Sequence, residues 1–142
     1  IYGGAAIGLM NIVANSALKV GGKVTGVIPS TLNNNEIKHP NLTNLIITSS
    51  MHERKSKMYS RADAFAILPG GLGTLDEFFE IITWRHIGLH NKEIFVVDKI
   101  FWSPLSALLE HLSKNQFCNE DTIQLVKFVQ DAGQLFQELK KL

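Results

Sequence analysis

Apolar positions recur along the chain in two rhythms. Over residues 5–20, Ile7, Leu9, Met10, Ile12, Val13, Ala17 and Leu18 fall three and four residues apart before a Gly21-Gly22 stop, which predicts a helix. Residues 23–28 and 44–48 are short β-branched runs on either side of an Asn- and Pro-containing loop at 33–40, and both predict strands. Ser50 with Glu53 three residues on fits a capping box, so a second, strongly charged helix is expected over 51–62. Residues 64–68 are apolar throughout, as in a strand covered on both faces. After a glycine-rich turn, a third helix is expected over 74–89, with Leu75, Phe78, Phe79, Ile82 and Ile87 on its apolar side. Residues 93–97 read as another buried strand, 104–114 as a helix opened by proline, and 124–129 as a strand. A last amphipathic helix, capped by Asp131, carries Leu135, Phe136 and Leu139.

Strands alternating with helices imply an α/β protein: a Rossmann-like, doubly wound parallel sheet with helices on both faces. The length of 142 residues predicts one domain over 1–142. Ile1-Tyr2-Gly3-Gly4 reads as the end of a strand entering a glycine loop, so the expected fold lacks its N-terminal strand and helix here. In this architecture ligands sit beyond the carboxyl ends of the strands, which directs attention to the strand-to-helix turns.

Composition narrows the partners. A hydrophobic fraction of 45% against 19% charged residues is ample to bury a core and unlike a disordered chain. Fourteen Lys and Arg against 13 Asp and Glu leave a net charge of +1, too little for general nucleic-acid binding. No apolar run approaches the roughly 18 residues needed to cross a bilayer, so no membrane partner is expected. The lone Cys118 forms no internal disulfide, which fits a reducing compartment and a cytoplasmic address.

One turn stands out. Pro69, Gly70, Gly71, Leu72, Gly73 and Thr74 lie between a buried strand and a helix, giving PGGLGTLDE with Glu77 one turn on. Glycines let main-chain N–H groups approach a ligand, and a helix N-terminus attracts negative charge, so a phosphate fits there with Thr74 as a hydroxyl donor at the rim. The P-loop and GxGxxG patterns are both absent. On spacing alone the glycines serve equally well to permit a tight turn. Thr74 and Glu77 also satisfy the T-x-x-E capping box, the stronger reading of Glu77 taken by itself. Against it, a carboxylate beside a phosphate site has to meet another part of the ligand, such as ribose hydroxyls or an attacking water.

The helix over 51–62 places Arg54, Met58 and Arg61 on one face. Such a charged run is ordinarily a solvated surface, but its start is expected at the same sheet edge as the glycine turn, with Arg54 facing Glu77 across a cleft. His86 and His90 have the i, i+4 spacing of metal ligands without a third ligand, and no metal site is expected.

The strings IYGGAAIGLM, VIPSTLNNNEI and MHERKSKMYSRADAFAILPGGLGTLDEFFEIITW resemble the LOG (Lonely guy) family of cytokinin riboside 5′-monophosphate phosphoribohydrolases. The likeness covers nearly all of residues 1–98 and rests on the linked motifs MHxRK and PGGxGTxxE. It implies that Arg54 and Glu77 are catalytic. It also implies that Lys55 and the turn residues Gly70, Gly71, Leu72, Gly73, Thr74, Leu75, Asp76 and Glu77 bind substrate, with Glu36 and Thr83 as outlying contacts. The activity implied is cleavage of the N-glycosidic bond of an adenine-type nucleoside monophosphate, AMP or its N6-prenylated form, without a metal or redox cofactor. The assembly implied is a homodimer or higher homo-oligomer. A lysine decarboxylase label, which such proteins also carry, finds no pyridoxal-phosphate attachment context in the chain. Two other readings stay open: a non-catalytic nucleotide carrier like the molybdenum-cofactor carriers, and a broad nucleotide 5′-monophosphate nucleosidase.

Overall fold

The computed structural model describes residues 1–33 and 37–142. Its elements are α1 (Gly8–Lys19), β1 (Thr25–Pro29), a 3-10 turn (Ser30–Leu32), β2 (Asn44–Thr48), α2 (Met51–Arg61), β3 (Ala64–Ile67) and α3 (Leu72–His86). β4 (Glu93–Val97), α4 (Ser103–Lys114), α5 (Glu120–Gln124), β5 (Val126–Val129) and α6 (Ala132–Leu139) follow. The chain divides into two compact units, Ile1–Ala62 and Asp63–Leu142. Every named strand pairs in parallel, β1 with β2 in the first unit and β3–β4–β5 in the second. Helices alternating with parallel strands give the Rossmann-like α/β class expected from the sequence.

In the first unit β1 is buried from Gly26 to Pro29, and Tyr2 pairs with Gly26 on β1. Residues 5 and 6, expected in a helix, instead join the segment after the loop: Ala5 bridges Lys38 and Ala6 N–H donates to the Ile37 carbonyl. That pairing delays α1 to Gly8. The buried His39 fixes the same segment, its Nδ1 accepting from Asn41 N–H and its Nε2 lying 3.3 Å from Asn15 Oδ1 on α1.

The second unit is organised on β4, where Ile94, Phe95 and Val96 are fully buried. Alternation sends Ile94 and Val96 to one face, against Phe78, Ile81 and Ile82 of α3 and Trp102, Leu105 and Leu109 around α4. Phe95 and Val97 go to the other, against Val129 and Leu135 of α6. β4 therefore has helices on both faces, and a continuous apolar run is what such a strand requires. β3 ends its sheet and departs from that pattern, leaving Ala66 exposed although its sequence is equally apolar.

Two boundaries also shift. Gln124, expected in a strand, ends the short helix α5, whose Glu120 and Asp121 suit the positive end of the helix dipole. Five residues are too few to show a helical period. α3 runs from Leu72 to His86 rather than over 74–89, because Gly88, at φ 78°, turns the chain away.

A charge cluster ties the strand starts together. Arg85 of α3 donates to Glu93 Oε1 (2.9 Å) and to the Leu125 carbonyl (3.0 Å), and Lys127 Nζ pairs with Glu93 Oε2 at 2.8 Å. Lys127 and then Arg85 hold the Glu93 carboxyl below its ordinary 4.5, against the opposing effect of burial. A lowered folded value stabilises the protein above the ordinary value, and the gain is lost as pH falls through the lowered one. Glu93→Gln is expected to cost about 1–2 kcal/mol at pH 7. In urea titrations across pH, the gap to wild type should close below the ordinary value of 4.5; a gap constant down to pH 3 would refute this.

Candidate active site

The turn after β3 is built from residues that expose backbone. Gly71 is the N-cap of α3 and has no side chain to satisfy the helix's first N–H groups, so those of Leu72, Gly73 and Thr74 have no intrahelical acceptor. At Gly70 a Cβ would strike the Thr74 hydroxyl and Cβ, which fold back over it. At Gly71 and Gly73 a Cβ would meet no atom within 4 Å, and neither residue has positive φ. Steric need among the described residues thus accounts for Gly70 but not for Gly71 or Gly73.

The same geometry overturns the capping reading of Glu77. With Gly71 as N-cap, Thr74 stands third in the helix and Glu77 sixth, so the T-x-x-E pair is not at a helix start and forms no capping box. Glu77 is half-buried in the second turn, next to exposed Asp76. Leu72 is 85% exposed, whereas Leu75 packs on the core of its unit. Thr83 lies roughly 14 Å further along the helix axis than Thr74, its hydroxyl donating to the Phe79 carbonyl. Glu36 lies outside the described residues.

In the first unit, α2 starts with a filled cap. Ser50 Oγ accepts from Glu53 N–H (3.1 Å), and Glu53 Oε2 accepts from Ser49 N–H and Oγ, both at 2.8 Å. The box forms as expected except that Glu53 reaches back to Ser49. Those bonds, the main-chain one foremost, hold the Glu53 carboxyl below its usual range. Arg54 follows at once, donating from Nε to the Val27 carbonyl of β1 at 3.0 Å. Lys55 beside it is half-buried and Arg61 is exposed. The Val27 carbonyl carries no sequence signal as a partner of Arg54, since any residue offers one. Gly3, against which the guanidinium packs, was visible only as part of a glycine pair.

His86 and His90 do not share one helix. α3 ends at His86, whose Nδ1 lies 3.0 Å from Thr122 Oγ1; His90 is buried past the helix end, between the Ile81 carbonyl and Lys92 N–H. Among the described residues no group of three or more His, Cys, Asp or Glu is placed to hold a metal, and no helix is long and apolar enough to cross a membrane.

Parallel strands alternating with helices, and a glycine turn leading into a helix without a side-chain cap, define a Rossmann-like α/β protein. The family model described as "Possible lysine decarboxylase" matches residues 10–139. The cytokinin riboside 5′-monophosphate phosphoribohydrolase of Rhodococcoides fascians is 45% identical over 124 residues, 86% of this chain and 63% of that protein. The probable cytokinin riboside 5′-monophosphate phosphoribohydrolase LOGL1 of Oryza sativa subsp. japonica is 36% identical over 142 residues, 99% of this chain and 64% of that one. The cytokinin riboside 5′-monophosphate phosphoribohydrolase LOG2 of Arabidopsis thaliana is 33% identical over 142 residues, 99% and 67%. The chain belongs to this family, the LOG family of the motifs above. It spans about two thirds of the length of the curated relatives it matches.

The glycines divide in a measurable way. Gly70→Ala is expected to destabilise by about 1–3 kcal/mol because Thr74 has to give way. Gly73→Ala, inside the helix and in open space, should leave stability unchanged or raise it by up to about 1 kcal/mol. Thermal unfolding of both checks this, and equal losses would show that both glycines serve the turn alone.

Proposed function

We propose that the protein hydrolyses the N-glycosidic bond of adenine-type nucleoside 5′-monophosphates, AMP and its N6-prenylated forms, to free base and ribose 5-phosphate. One observation carries the reading: the uncapped start of α3, with Gly71 and Gly73 bare and Glu77 a turn further on. The names of the relatives support the same chemistry.

In this mechanism the N–H groups of the glycine turn, with the Thr74 hydroxyl, grip the 5′-phosphate, and that binding energy holds the ribose in a reactive geometry. The C1′–N bond breaks with its electron pair leaving on the base, which takes up a proton. The sugar passes through an oxocarbenium-like state that the Glu77 carboxylate stabilises, and Glu77 takes the proton of the water adding to C1′. Arg54 is permanently charged and acts as a hydrogen-bonding clamp on substrate rather than as a proton donor. Lys55 adds a second positive charge for the nucleotide. The proposal includes a cytoplasmic homo-oligomer that binds neither nucleic acid nor membrane. The exposed apolar residues Leu9, Met10, Ile12 and Val13 of α1 support a protein partner for that helix.

Incubating the intact protein with AMP, isopentenyl-AMP, GMP and CMP and separating free base by chromatography tests the reading. Adenine-type substrates should be cleaved preferentially; equal turnover of all four would favour a broad nucleosidase, and AMP binding without base release a carrier. Glu77→Ala should lower AMP turnover about 100- to 10,000-fold while keeping measurable AMP binding. Preserved turnover would remove Glu77 from catalysis. Gly73→Ala should raise the KM for AMP with its fold intact.

A further inference from the structure

We infer that Gly3 is a positioning residue for Arg54, present because its missing side chain leaves room for the guanidinium. The inference rests on the catalytic role proposed above for Arg54. Arg54 Nε–H donates to the Val27 carbonyl at 3.0 Å. From that bond the head of the side chain extends over the main chain of Gly3, and a Cβ built there would overlap Arg54 Nη2. The same Cβ would also lie 3.3 Å from Met10 Sδ, so the space has little slack on a second side. Backbone conformation does not call for glycine here: Gly3 is not among the residues with positive φ. The requirement comes from the arginine.

Tyr2 holds this arrangement in register. Its N–H donates to the Thr25 carbonyl and its carbonyl accepts from Val27 N–H, so Gly3 enters the space past the end of that pairing, directly beside Val27. A methyl at position 3 overlaps the far end of the flexible Arg54 side chain and presses on the Met10 thioether. The fold absorbs it by swinging the guanidinium away, at the expense of the Val27 bond and of the orientation that substrate contact requires.

The test measures AMP hydrolysis and thermal unfolding of the intact protein for wild type, Gly3→Ala, Arg54→Ala and the double variant, and follows the Arg54 Nε–H resonance by NMR. Gly3→Ala should lower kcat about 10- to 100-fold, with a smaller change in KM. Its unfolding midpoint should stay within about 2 °C of wild type. The Nε–H resonance should shift as the bond to Val27 is lost. Adding Gly3→Ala to Arg54→Ala should cause no further loss, because the group it displaces is gone. Wild-type kcat in Gly3→Ala, an unmoved resonance, or an equal loss in both backgrounds would overturn the inference. Should Gly3→Ala unfold the protein, its rescue by Arg54→Ala would report the same clash through folding, and failure of that rescue would overturn it. Wild-type turnover in Arg54→Ala is a different result: it refutes the catalytic reading of Arg54, and the resonance then decides alone whether Gly3 sets its position.

Discussion

A parallel strand covered by helices on both faces has only its ends left for chemistry. β4 meets that condition fully, with Ile94 and Val96 against α3 and α4 and with Phe95 and Val97 against α6. The burial that stabilises the unit also seals the middle of its sheet against ligand. What remains open is the set of turns beyond the strand ends, where the main chain reverses and polar groups are left unpaired. The glycine turn after β3 is one of these. In the first unit, the step from β2 into α2 is another, and there β1 lends a carbonyl to the arginine.

Those two turns handle the same problem in opposite ways. Every helix start leaves N–H groups without acceptors; in α2 Ser50 Oγ takes that of Glu53, and the Glu53 carboxylate reaches back to Ser49 N–H just ahead of the helix. Because α2 buries no residue, that cap contributes much of what holds its first turn in place. Its product is a fixed platform for one long side chain, Arg54. α3 starts on glycine and keeps its N–H groups open, while its stability comes from Phe78, Ile81 and Ile82 in the core. A helix anchored that firmly further along tolerates a first turn without a side-chain cap. In the function proposed above, that difference gives side-chain chemistry to α2 and main-chain recognition to α3.

The family description of a lysine decarboxylase and the names of the relatives point to different reactions. The function proposed above follows the names of the relatives. In that proposal, a carboxylate a turn beyond a helix start that holds phosphate suits a substrate joining a phosphate to a sugar whose anomeric carbon gains positive charge.

Much of this was legible in order along the chain. The β-branched run of β4, the proline opening α4, the Ser50–Glu53 box and the glycine string are local signals, governed by torsional preference and by hydrogen bonds within a few residues. The sequence therefore determined the alternation of elements, the parallel class and the two motifs from which Arg54 and Glu77 were singled out. It could not decide which helix position each residue occupies, since the start of α3 depends on where the chain leaves β3 and where Thr74 finds room over Gly70. A cap at Gly71 rather than Thr74, three residues earlier, turned an apparent capping partner into an acid in the second turn. Nor could it show that Ala5 and Ala6 pair with Lys38 and Ile37, or that Gly3 and the Val27 carbonyl bracket one guanidinium. Those are contacts between segments far apart in the chain, and only tertiary packing brings them together.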